Sequence, residues 1–95
     1  MKTGVYRQQD HVVTRRIADE VLLVPVKAKL ADMRRVFVLH GTGEFIWEHL
    51  DGKMPLSGIL DELVGCYDVN EKRAAADLDE LIEDLLKAEL IHKVP

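Results

Sequence analysis

The stretch VFVLHGTGEFIWEHLDG, residues 36–52, decides how the rest of the chain reads. Val36, Phe37, Val38 and Leu39 make an apolar run of the kind that suits a strand covered on both faces. Gly41, Thr42 and Gly43 break that run, and the Thr42 hydroxyl is a candidate cap for the free amides of a helix start. Phe45, Ile46, His49 and Leu50 recur at helical spacing, with Trp47 beside them. Asp51-Gly52 is expected to end the helix, because glycine accepts the left-handed conformation of a C-terminal cap. The segment therefore predicts a strand, a tight turn and a helix of about three turns.

Upstream, residues 1–10 are polar and unpatterned and read as a flexible arm, leaving 11–95 as one domain. Residues 11–17, with Val12, Val13 and Ile17 around Thr14-Arg15-Arg16, and residues 20–26 read as strands around a short Ala18-Asp19 turn that lacks the favoured Asn-Gly or Asp-Gly pair. Pro25 places the second strand at an edge or an end. Residues 27–34 are a polar connection, and residues 35–39 form the third strand of a small antiparallel meander.

Downstream, Pro55 suits a first helical position. Leu56, Ile59, Leu60, Leu63, Val64 and Tyr67 then trace an apolar stripe, weakened by Gly58 and Gly65. Asn70 is a good N-cap for a last helix over 71–88, whose apolar face is Leu78, Leu81, Ile82, Leu85 and Leu86. Leu90, Ile91 and Val94 suit a final extended segment. The predicted class is α+β, winged helix-turn-helix-like: a three-stranded antiparallel sheet followed by three helices.

Composition narrows the function. A chain of 95 residues, 47% hydrophobic and 32% charged, is a single folded domain rather than a disordered one. No segment approaches the ~20 apolar residues of a membrane span, and the N-terminus lacks the apolar centre of a signal peptide, so a cytoplasmic location is expected. Residues 1–53 carry a net charge of +2 and residues 54–95 one of −6, which makes the second half a poor surface for a phosphate backbone. The lone Cys66 has no disulfide partner and is expected to be a small buried hydrophobe.

No catalytic or metal constellation emerges. His11, His40, His49 and His92 are scattered, with only Glu44 and Glu48 near His49, and His49 is expected at the core border. The carboxylates of the last helix read as a solvated face, and Gly41-Thr42-Gly43 is too short for a phosphate loop. Neither an enzyme nor a cofactor is expected. Trp47 reads as a core anchor. A small open sheet leaves unpaired edges, to which an extended peptide can add as a strand. Arg34 and Arg35 lie just ahead of the third strand, where they either guard its edge against aggregation or steer an acidic peptide onto it.

The segment from Leu39 to Gly52, with Ile46-Trp47 and Leu50-Asp51-Gly52 in register, resembles the core motif of the PqqD family. Ile59, Leu63, Tyr67, Asp77 and the run from Leu81 to Leu86 extend the resemblance over most of residues 11–94. Three positions depart from the usual pattern: His40 stands for Asn, Pro55 for a capping Thr or Ser, and Glu89 for the Gly before Leu90.

The resemblance implies three strands and three helices and a non-catalytic peptide chaperone, also called a RiPP recognition element. Such a chaperone binds the leader of a ribosomally made precursor peptide as an added strand. It presents the precursor to a modifying enzyme, often a radical SAM protein. Carried onto this chain, the cleft would be lined by Arg35, Val36, Phe37, Val38 and Leu39 on one side. Ala74, Asp77, Leu78, Leu81 and Leu85 would lie on the other, with the division between peptide-facing and core-facing residues left open. The alternatives are a winged-helix DNA-binding regulator, which needs a basic recognition helix, and a structural subunit of a larger complex. Exposed strand edges also leave room for a homodimer.

Overall fold

The computed structural model describes residues 3–25 and 37–95. In chain order the elements are β1 (Val5–Gln8), β2 (Val12–Ile17), β3 (Glu20–Pro25), β4 (Phe37–Leu39), α1 (Thr42–Glu48), β5 (Asp51–Pro55), α2 (Leu56–Cys66), α3 (Glu71–Lys87) and β6 (Ile91–Lys93). Val26, the connection over 27–34, Arg35 and Val36 lie outside the described residues.

The expected meander is present. β3 pairs antiparallel with β2 and with β4, in the order β2-β3-β4. Alternation sets its faces: Val21 and Leu23 of β3 and Leu39 of β4 are buried, whereas Val13, Ile17 and Val38 point outward and stay exposed. The Ala18-Asp19 hairpin closes with Ala18 at φ 56.

A second sheet was not foreseen. β1 is the central strand of an antiparallel β5-β1-β6 sheet, so the segment expected to be a loose arm holds a strand at Val5–Gln8. Its partners lie far along the chain, Val5 opposite Pro55 and Tyr6 opposite Lys93. The final extended segment is β6, as its apolar residues suggested.

The first helix is shorter than its pattern. α1 ends at Glu48 with His49 as its C-cap, and Asp51-Gly52 opens β5 instead of closing the helix. The physical reason is local. His49 and Leu50 donate to the Ile46 and Trp47 carbonyls three residues back, tightening the last turn before the chain extends. Gly52, at φ 81, sits in the irregular stretch of β5 opposite β1, with the Arg7 side chain against its Cα. Asp51 accepts from the Lys53 amide at 2.9 Å and the Met54 amide at 3.3 Å, which fixes the bend. These amides hold the Asp51 carboxyl below its ordinary pKa of 3.8, Lys53 contributing most.

The three helices close the core. Trp47 is buried at 2% exposure as an anchor, and Ile46, Leu50, Ile59, Leu63, Leu78, Ile82 and Leu85 pack with it. The Trp47 indole donates to Thr14 Oγ1 at 3.4 Å, and the Gln8 side chain donates to the Trp47 carbonyl at 2.7 Å, so α1 is tied to both sheets. Arg16 of β2 pairs with Glu44 and with Glu48. α3 starts as expected: Asn70 accepts from the amides of Lys72 at 2.9 Å and Arg73 at 3.2 Å.

The other two helix starts differ from their expectation. Gly41, at φ 60 and ψ −126, is the N-cap of α1, and Thr42 makes no side-chain cap. Pro55 is the N-cap of α2, one residue earlier than expected. It has no capping side chain, and the first free amide, that of Leu56, donates instead to the Gly4 carbonyl at 3.0 Å.

Cys66 is exposed, not buried. It closes α2 off the buried stripe formed by Leu56, Ile59, Leu60 and Leu63, where the chain turns toward α3. Tyr67 is partly exposed, meeting the edge of Phe45 at a centroid separation of 5.5 Å. His49 borders the core as expected, stacked on Phe45 at 4.2 Å with Nδ1 donating to the Phe45 carbonyl.

Candidate functional site: a groove between a strand edge and a helix

β4 is the last strand of its sheet, and its outer side pairs with no strand among the described residues. An edge strand presents the backbone donors and acceptors of its outer side to an incoming segment. Beside it runs α3. Between them lies a groove of ≈ 240 Å³, walled by Phe37, Val38, Leu39, His40 and Gly43 on one side and by Asp77, Glu80, Leu81 and Asp84 on the other.

The geometry sorts the residues singled out by sequence. Phe37, Val38, Leu39, Asp77 and Leu81 line the groove. Leu78 and Leu85 have no exposed surface and Ala74 is 5% exposed, so all three face the core. Helical spacing explains the division, since residues 77, 81 and 84 share one stripe of α3 and 74, 78 and 85 another. Arg35 and Val36 lie outside the described residues.

Four groove residues were missed by the sequence reading: His40, Gly43, Glu80 and Asp84. A period-3.6 count from Asp77 and Leu81 would have found Glu80 and Asp84. Gly43 carries no such signal. A β-carbon built there would lie 3.4 Å from Leu39 Cδ2 and 4.0 Å from Leu81 Cδ2, so its bare backbone borders the groove floor.

A second cavity of ≈ 270 Å³ shares Asp77 and lies where α1, the turn after α2 and the start of α3 meet, lined in part by Thr42, Leu63, Val69 and Arg73. Among the described residues, no cluster of histidine, cysteine or carboxylate side chains could hold a metal ion. No helix among them is long and apolar enough to cross a membrane.

An α+β, winged helix-turn-helix-like domain with an open strand edge beside its third helix is thus defined. The profile of the family described as coenzyme PQQ synthesis protein D (PqqD) matches residues 20–91. The chain belongs to the PqqD family. Among solved structures it is similar to one described as TbiB1 in complex with the TbiA(beta) leader peptide. The likeness has a TM-score of 0.74 at 27% identity and covers 90% of this chain and 94% of that one. Comparison with curated proteins gives no match.

Proposed function

We propose that this protein is a non-catalytic carrier for a ribosomally made precursor peptide. The leader of that precursor adds as a strand to the outer edge of β4, in the groove against α3, and the carrier presents it to a modifying enzyme of the radical SAM class. The observation that carries the proposal is the edge of β4, unpaired among the described residues, facing a helix across a partly apolar groove. Strand addition supplies affinity through main-chain hydrogen bonds, and the pockets beside the edge supply selectivity. Family membership and the leader-bound state of the similar TbiB1 structure support this reading.

The groove residues assigned to the peptide are Phe37, Val38, Leu39, Asp77 and Leu81, joined by His40, Gly43, Glu80 and Asp84. Arg35 and Val36, which precede β4 in the chain, remain candidates for the same edge. A DNA-binding role would need a basic helix, whereas the exposed positions of α3 include Asp77, Glu80, Glu83 and Asp84.

The test is an NMR titration of the chain with leader peptides encoded beside its gene. Strand addition predicts amide shifts concentrated on Phe37–Leu39 and on the Asp77, Leu81 and Asp84 stripe. Shifts produced by duplex DNA and by none of the leaders would refute it.

A further inference from the structure

The two walls of the groove differ in charge. The β4 side is mainly apolar, with His40 its one titratable side chain. The α3 side sets three carboxylates, Asp77, Glu80 and Asp84, around Leu81. None of the three makes an ion pair with a described residue, the cations near other acids being Arg7 with Asp10, Arg16 with Glu44 and Glu48, and Lys87 with Glu83. The arrangement works against the helix that bears it. Like charges three and four residues apart repel, and Asp84 stands in the last turn, where the helix dipole favours a cation. Negative charge held there against local preference, on the wall of a groove, suits a cationic guest.

Resting on the strand-addition reading above, we infer that the cargo strand is basic. It places an apolar side chain over Phe37 and Leu81 and a Lys or Arg two residues to either side. One cation meets Asp77 and Glu80, and the other meets Asp84. The spacings agree. Side chains on one face of a strand recur every ~6.6–6.8 Å, so the two basic residues lie ~13 Å apart. Asp77 and Asp84 are separated by ~10.5 Å of helix rise, and the flexible stems of Lys and Arg close the difference. An acidic peptide, the partner that Arg34 and Arg35 suggested from sequence, would meet repulsion along this wall.

The test pans a phage library of random twelve-residue peptides on the full chain. It then measures the affinity of a selected peptide for the chain and for the D77N/E80Q/D84N variant, with NMR shifts locating the bound site. The expected result is peptides with Lys or Arg flanking an apolar residue, bound about ten- to thirtyfold more weakly by the variant at low salt. The gap should shrink as salt rises. Neutral or acidic peptides that bind at β4, or peptides bound equally by the variant, would overturn the charge preference and leave strand addition standing. Failure to enrich any peptide that shifts β4 would overturn both.

Discussion

Gly43 and Leu81 meet at the floor of the groove: a β-carbon on Gly43 would lie 4.0 Å from Leu81 Cδ2. The first turn of α1 thus brings bare backbone up to the helix that forms the opposite wall. Gly43→Leu is expected to fill the floor and weaken leader binding by about tenfold or more, equivalent to ~1.4 kcal/mol. Calorimetric titration measures the loss. Thermal unfolding should stay close to that of the parent, because glycine in a helix is a poor choice for stability and its replacement offsets part of any crowding.

Gly41, two residues earlier, is constrained differently. No described residue lies within 4 Å of a β-carbon built there, yet its φ of 60 with ψ −126 is a conformation that only glycine adopts easily. Gly41→Ala should destabilise the fold by about 1–3 kcal/mol through backbone strain alone. Urea denaturation would show it as a lower midpoint with an unchanged slope.

Glu89 occupies the left-handed position after α3, at φ 59. The Leu90 amide donates to the Leu85 carbonyl and the Glu89 amide to that of Leu86, the two bonds of a Schellman cap. The family pattern has glycine there, and this chain tolerates Glu because Leu85 and Leu90 are both buried beneath the turn. Glu89→Gly should stabilise by about 1 kcal/mol, a rise of roughly 4–8 °C in Tm for a domain this small. Differential scanning calorimetry is the check.

The Asp51 carboxyl, held below its ordinary pKa by the Lys53 and Met54 amides, gives the fold a weak acid dependence. The folded value lies beneath the unfolded one. Its contribution is therefore present above the unfolded pKa, near 4, and disappears as pH falls through the lower folded value. Solvent screening keeps the effect small, since the group is exposed. Asp51→Asn keeps an acceptor oxygen but cannot titrate, so its stability should fall less than the parent's between pH 5 and pH 2. Urea midpoints across that range measure the difference.

Asp84 sets helix stability against the proposed cargo. Asp84→Lys should raise the stability of the free protein by about 0.5 kcal/mol, by relieving repulsion from Glu80 and the dipole, while weakening a basic leader. Paired thermal melts and titrations should move in opposite directions.

The parts legible in the sequence were those written in short-range periodicity. β2, β3 and β4 stand out as short β-branched and apolar runs, α2 and α3 carry three-and-four spacing, and Asn70 announces its helix. The Asp77 and Leu81 wall of the groove was implied by the resemblance to the PqqD family rather than by spacing. What escaped depends on contacts across the chain. β1 has the unremarkable sequence VYRQ and is a strand because β5 and β6 bind it from both sides. Asp51-Gly52 reads equally well as a helix stop or a bulge, and only the pairing with Arg7 selects the second. Cys66 looked buried because free cysteine usually is, while its exposure follows from where α2 ends. Gly43 borders the groove by lacking a side chain, which no pattern of side chains can announce.

Cross-strand NOEs between an isotope-labelled leader and the backbone of Phe37, Val38 and Leu39 test the central claim most directly. Strand addition predicts a regular ladder of such contacts along β4, with leader side chains alternating between the Leu81 wall and solvent. Leader contacts confined to the edges of the β5-β1-β6 sheet, or to side chains without a backbone ladder, would contradict it.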